Sequence, residues 1–373
     1  VDGVDDVRAG TRRPERRGLA ALVALLITAG CSTGTVAADG TPDGGVRLAD
    51  VTTLDDPRTA EGPSTAVVAD AAVRPVTDAP RPQLPVTVTD AQGTAVTVTD
   101  TSRILALDVY GTLARTVFEL GLGDSVVGRD VSSQFAEVAD RPLVTRGGHD
   151  LSAEAILELA PTVVVTDTTL GPWDVVLQVR DAGIPVVVVD AHREVGGVGD
   201  LVREVATALG VPDAGETLAT RAQGEVDAKI AEIAAVAPAD PAARLRVMFL
   251  YARGQAGVYY LFGEGSGADS LVEAVGAVDV AGEIGWEGMR PLNDEGLIAA
   301  RPDVILMMTD GLASVGGVDG LLERLPAVAS TPAGQKRRVV DMADAQVLSF
   351  GPATADVLDA LAVALYAPAE VGA

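Results

Sequence analysis

The chain has 373 residues, enough for about two domains with a sizeable core. Its 53 acidic residues outnumber 28 basic ones, and a net charge of −25 argues against nucleic acid as a partner, because neutralising phosphates takes clustered cations. Such a balance suits a protein at work outside the membrane and says little about fold.

The first recognisable stretch is an export signal. Arg12, Arg13, Arg16 and Arg17 precede thirteen uncharged, mostly apolar residues, Gly18 to Gly30, and then the single cysteine, Cys31. That apolar run is too short to cross a bilayer core of about 30 Å. Ala29-Gly30-Cys31 resembles a bacterial lipobox, which implies that residues 1–31 form a lipoprotein signal with Cys31 as lipid anchor; Thr28 stands where lipoboxes prefer an aliphatic residue. Ordinary secretion with an incidental cysteine is the alternative. Residues 32–83 are rich in Thr, Ala, Asp, Gly and Pro without a sustained apolar period, so they are expected to be a disordered tether.

From Leu84 the pattern changes. Pro85 to Asp100 alternates about a turn near Gln92-Gly93, the signature of a β-hairpin. Apolar runs then alternate with helical patterns: RILALD, TVVVTD and PVVVVD each precede a helix, as expected for parallel strands buried on both faces. A second series starts at Arg246. Arg103 to Gly111 (RILALDVYG) aligns with Arg246 to Gly254 (RVMFLYARG) at an offset of 143. Leu151 to Pro161 aligns with Leu292 to Pro302 at 141, with leucine, glutamate and proline recurring at the same spacing. Two ordered matches at nearly equal offsets indicate duplicated lobes. Between them, Pro212 to Ala235 carries an amphipathic pattern of about six turns. The predicted fold is α/β: two doubly wound, Rossmann-like lobes, 84–211 and 238–373, joined by one long α-helix within 212–237, with a ligand cleft between them.

Ligands of open α/β sheets bind beyond the carboxyl ends of the strands. The candidate rim is therefore Asp108 to Gly111, Arg146 to Asp150, Tyr251 to Gly254 and Trp286 to Asn293. One of only two histidines, His149, lies on it after Gly147-Gly148, and its counterpart in the repeat is Arg290. A loop histidine bonded to a carboxylate is the plainer account; position at a cleft favours a ligand. His192, the other histidine, is expected at the surface. Tyr251 and Arg253 are two apart on an extended strand and so share a face. Tyrosine binds ferric iron as the phenolate, its ordinary pKa is near 10, and a neighbouring guanidinium favours the anion. A wall tyrosine beside an arginine paired elsewhere remains the alternative.

Two lobes on one long helix resemble the helix-linked (class III) periplasmic binding proteins, over roughly Leu84 to the C-terminus. Tyr251-Ala252-Arg253 with a cleft histidine resembles the heme-binding lipoproteins of actinobacterial hemin importers. That resemblance implies ferric heme held by His149 and Tyr251 as axial ligands with Arg253 bonded to the tyrosine oxygen. It also implies delivery to an ABC permease with its ATPase, and a monomer anchored at the outer face of the membrane. By position, Tyr110, Trp286 and Met289 are candidate heme contacts, and Arg290, Arg146 and Arg129 candidates for the propionates. Relatives dock through one glutamate per lobe: Glu273 fits, while Arg115 takes the register of the other and Glu119 lies nearby.

The fold also suits a siderophore or cobalamin carrier, which leaves His149 and Tyr251 without a paired role. A zinc or manganese carrier needs three or four His, Asp or Glu ligands. A secreted α/β enzyme would call for a nucleophile elbow, a phosphate loop, an HExxH helix or a catalytic cysteine, and the chain has none.

Overall fold

The apolar runs become strands in the computed structural model, which describes residues 44–291 and 293–371. In chain order the strands are β1 (Ser64–Ala66), β2 (Val86–Thr89), β3 (Ala95–Val98), β4 (Ile104–Leu107), β5 (Thr145–Arg146), β6 (Asp150–Leu151), β7 (Val163–Thr166) and β8 (Val186–Val188). The second half adds β9 (Arg246–Arg253), β10 (Val258–Phe262), β11 (Val278–Asp279), β12 (Met289–Pro291), β13 (Val304–Met308) and β14 (Val339–Met342). The helices that matter for the site are α1 (Thr112–Glu119), α2 (Ala153–Glu158), α3 (Trp173–Asp181), α4 (Val198–Ala208) and α5 (Pro212–Val236).

In the N-terminal lobe β4, β7 and β8 form a parallel sheet, with Ile104 opposite Val163 and Val164 opposite Val186. Every residue of these strands is buried, as their apolarity on both faces requires. The expected hairpin is β2–β3, closed by the Asp90 carboxylate accepting from the Gln92 and Thr94 N–H groups at 3.0 and 2.8 Å. The C-terminal lobe is a larger mixed sheet in the order β1-β14-β13-β9-β10-β12, with β11 alongside β9. Its centre is parallel, while β10 runs antiparallel between β9 and β12.

Helix α5 starts at Pro212, where a missing N–H costs nothing. Its first half buries Leu218 and Ala219 in the N-terminal core, and its second half buries Ala222, Val226 and Ile233 in the C-terminal core. One amphipathic helix thus belongs to both lobes. Among the described residues no helix is long and apolar enough to cross a membrane.

The tether expectation is corrected where it can be checked. Leu48 lies in the C-terminal core, and the Leu54 N–H donates to the Tyr366 carbonyl at 2.8 Å. Strand β1 then adds to the sheet edge with Ser64 opposite Val340. The chain next crosses to the other lobe, where Val73 and Val76 pack on the N-terminal core and the Val76 N–H donates to the Glu119 carbonyl at 2.9 Å. Arg115 holds the crossing through the Ala71 and Ala72 carbonyls at 2.7 and 2.6 Å, and Arg74 pairs with Glu225 of α5 at 2.7 Å. Residues 64–76 are therefore a strap between lobes. Its apolar residues come singly, without a period of their own, and each enters a core that other segments build.

Candidate functional site

Strand β9 carries the duplicated motif into the cleft. Its residues are buried through Leu250, Tyr251 is half-buried and Arg253 is exposed. The antiparallel partner β10 sets Tyr260 opposite Tyr251 and brings the Phe262 ring within 6.2 Å of the tyrosine ring. Arg253 Nε donates to the Tyr251 hydroxyl, and the guanidinium carbon lies 5.8 Å from the ring centroid. The expected pairing of alternate residues on one face is thus realised.

His149 projects from the tight connection between β5 and β6, which pair with Thr145 opposite Leu151. Gly147 and Gly148 have φ of +56° and +101°, conformations that a side chain would strain. The imidazole is half-buried, and its Nδ1 is buried without a hydrogen-bond partner. Its pKa is pushed below the ordinary value of 6.5, first by burial and then by the positive charge of Arg253, with Asp150 opposing. Residues 149 and 253, far apart in sequence and on opposite lobes, therefore lie within electrostatic reach of each other.

The remaining rim residues divide. Met289 stands on edge strand β12 and is 55% exposed, opposite Phe262 of β10. Arg290 is exposed, with Nε donating to the Glu287 carbonyl at 3.1 Å. Arg146 is exposed and pairs with Glu154 at 3.2 Å. Three other candidates contact neighbouring protein groups. Arg129 turns onto its own loop, donating to the Asp130 and Ser133 carbonyls at 3.3 Å. Trp286 packs half-buried on the C-terminal core against Gly296, so its ring is not an open wall. Tyr110 sits at the lobe junction on the C-terminal core, 5.8 Å from the Arg193 guanidinium, with its hydroxyl pushed up in pKa chiefly by burial.

Asp108, expected on the cleft rim, is instead fully buried, in a cluster with Asp130 and Asp167 that local pattern does not reveal. Arg193 donates to Asp167 at 2.7 Å and lies 3.9 Å from Asp108. Burial and the neighbouring carboxylates push Asp108 up to about 8, and burial pushes Asp130 up to about 6. Asp108 also accepts from the Thr112 and Leu113 N–H groups at 3.3 and 3.1 Å, so the cluster pins the start of α1. An acidic residue at the end of each apolar run was the available signal; only the fold brings them together. Among the described residues no group of three or more His, Cys, Asp or Glu side chains is placed to hold a metal ion.

A cavity of about 280 Å³ opens between the lobes, and neither His149 nor Tyr251 is among its lining residues. Its walls include Thr112 and Phe135 from one lobe, Ala343, Ala345 and Val357 from the other, and Val68 of the strap.

A family profile described as periplasmic binding protein matches residues 109–345. The chain belongs to the periplasmic binding protein family. Solved structures agree with that assignment for this binding protein. It is 45% identical to the heme binding protein HmuT, covering 83% of this chain and 99% of that one at a TM-score of 0.79. HmuT has also been solved with a histidine, a tyrosine or an arginine replaced by alanine, the last two being two positions apart. The periplasmic heme-binding protein RhuT from Roseiflexus sp. RS-1, in apo form, is 36% identical, with 72% of this chain and all of that chain covered at a TM-score of 0.64. BhuT, a periplasmic heme-binding protein in complex with two hemes, is 33% identical over 70% and 97% of the two chains, at a TM-score of 0.62. No curated protein matches the chain.

Two expectations about how this binding protein meets its neighbours are resolved differently. Glu273 is exposed on the helix Ala268–Ala274, open to a partner. Glu119 is corrected: it is 0% exposed, gripped by Arg115 Nε at 3.0 Å and by Arg221 of α5, and cannot reach a docking surface. His192 is exposed beside Glu194 at 3.6 Å. Cys31 lies outside the described residues.

Proposed function

We propose that this chain is an extracytoplasmic heme-binding protein that hands ferric heme to an ABC importer, with Tyr251 and His149 as the iron's axial ligands. The observation that carries the reading is the contact from Arg253 Nε to the Tyr251 hydroxyl, and the positive charge of Arg253 is also felt by His149 of the other lobe. The donor set fits ferric heme. Arg253 favours the tyrosine anion and orients its oxygen, as outer-shell partners of metal ligands do. Burial keeps the His149 imidazole neutral, which leaves a ring nitrogen lone pair for iron. No side chain or backbone group among the described residues bonds its Nδ1. Tyrosinate and imidazole together favour the ferric state.

Support comes also from likeness: HmuT, RhuT and BhuT are heme-binding proteins, and the residues replaced in HmuT match Tyr251, Arg253 and His149 in type and in the tyrosine–arginine spacing. The role is capture and handover, with no chemistry on the cargo. Cys31 is the proposed lipid anchor at the outer membrane face, Glu273 the remaining candidate for permease docking, and the working unit a monomer.

An absorbance titration of the purified chain with hemin tests this. A saturable Soret band at one heme per chain, altered in Tyr251→Phe, is expected. Absence of a saturable band would exclude heme and move the ligand to a siderophore or cobalamin.

A further inference from the structure

Building on the heme reading, we infer that the cavity between the lobes receives the methyl- and vinyl-bearing edge of the porphyrin, leaving the propionates at the cleft mouth. The loops that line the cavity are tied to the segments that carry the candidate ligands. On the C-terminal side, Ala343 and Ala345 flank Asp344, whose carboxylate accepts from the Asp310 N–H at 2.9 Å. Partial burial pushes the Asp344 carboxyl up in pKa and the Arg253 charge pulls it down, so this loop lies within reach of the tyrosine's arginine. On the N-terminal side, the loop that carries Ser132 and Phe135 follows Arg129, whose carbonyl accepts from the Val144 N–H at 2.9 Å, immediately ahead of β5 and His149.

The chemistry of the walls selects which edge enters. Val68, Phe135, Ala345 and Val357 make them largely apolar. Among the described residues the one cation in the lining, Arg115, is committed to Glu119 and to the Ala71 and Ala72 carbonyls. A propionate placed there would lose its water and gain no free cation, which is costly. Methyl and vinyl groups gain by the same desolvation, at about 25 cal/mol per Å². Arg146 and Arg290, the rim candidates for the propionates, are exposed, and among the described residues each makes one side-chain bond. Size agrees: about 280 Å³ exceeds the roughly 150 Å³ that admits a benzene, yet falls below the range of pockets that enclose a whole drug-sized ligand. One side of a porphyrin fits, with the iron left toward Tyr251 and His149.

The test uses the full chain and three probes: hemin, deuterohemin, which lacks the vinyl groups, and hemin dimethyl ester, which lacks the free carboxylates. The wild type is expected to bind deuterohemin at least threefold more weakly than hemin, and the ester within about threefold of hemin. Ala345→Phe, which fills the cavity, should weaken hemin at least tenfold while its melting temperature stays near wild type. Deuterohemin binding as tightly as hemin together with a tenfold loss for the ester would overturn the orientation, and that comparison needs no variant to fold. A folded Ala345→Phe that titrates like wild type would overturn it too. Failure of the wild type to bind hemin at all would instead remove the heme reading on which this rests.

Discussion

Arg115 and Arg253 are both cleft-side arginines bonded to a residue of their own element, and they are built for opposite purposes. Arg115 is 9% exposed, and its guanidinium meets Glu119, two strap carbonyls and the face of Phe135 at 5.5 Å. Glu119 in turn is shared with Arg221 of the linking helix. Arg253 is exposed, its hydrogen bond among the described residues goes to Tyr251, and its charge depresses the pKa of His149 on the other lobe. A buried charge persists only when its donors and acceptors are matched, because the low local dielectric penalises every unmet one. Charge that holds the fold is therefore closed on itself. Charge proposed to meet a ligand is left partly open, and that contrast separates the two arginines.

Breaking the closed cluster should produce the largest effect. Glu119→Ala leaves two guanidinium groups, one buried and one partly so, without their shared acceptor, and loss of one partner in a buried network costs about 3–5 kcal/mol. Calorimetry or denaturant titration should register that loss, and the strap residues 71–76 should exchange amide hydrogens faster. A loss under about 1 kcal/mol would show that the cluster is not what ties strap, α1 and α5 together.

Breaking the open pair should leave stability nearly unchanged and remove binding. Tyr251→Phe deletes one oxygen on a half-buried ring, so stability should move by less than about 0.5 kcal/mol. Hemin affinity should fall by more than the roughly 10–100-fold expected for an outer-shell partner, because the lost atom is the proposed ligand itself. Arg253→Ala should fall within that 10–100-fold range, and His149→Ala should change the iron's absorption spectrum with a smaller loss than Tyr251→Ala. Equal, wild-type-like titrations for the tyrosine and histidine variants would sink the axial assignment.

The same contrast explains what could be read from the sequence. Strands β4, β7, β8, β9 and β13, the hairpin and the linking helix follow from local periodicity, and the duplication follows from matched spacing. Tyr251 and Arg253 needed only strand alternation to be paired. His149 needed the repeat to be placed at the cleft. What was missed depends on partners distant in sequence. The strap holds because Arg115, Glu225 and β14 receive it, and none of them is near it in the chain. Glu119 reads as an ordinary helical charge until Arg221, from another helix, covers it. The carboxyl groups at 108 and 167 meet Arg193, and Asp130 accepts from the Asp108 N–H, only after the sheet has formed.

A proton sharpens the comparison further. His149 should titrate below 6.5, since burial and Arg253 both disfavour the imidazolium. A histidine with a depressed folded pKa contributes stability that is present above its unfolded pKa and lost as pH falls through the folded value. Hemin binding should weaken over the same acidic window, because a protonated imidazole has no lone pair for iron. Proton NMR resolves the chain's two histidines. Arg253→Ala should raise the His149 midpoint. A His149 midpoint that ignores Arg253 would mean the two lobes do not bring these residues together.

The smallest effect is expected where charge is neither closed nor poised. Arg146 and Glu154 pair at 3.2 Å with side chains 67% and 79% exposed, so water and salt screen most of their attraction. Arg146→Ala should change stability by less than about 0.5 kcal/mol, within the range usual for surface pairs. Any role for Arg146 must then appear in binding, as a neighbour of propionates at the cleft mouth. Hemin affinity in Arg146→Ala should drop by a few-fold at low ionic strength and converge on wild type as salt rises. If the loss persists in high salt, Arg146 makes a desolvated contact with the cargo, and the mouth of the cleft closes more tightly over heme than the exposure of this residue implies.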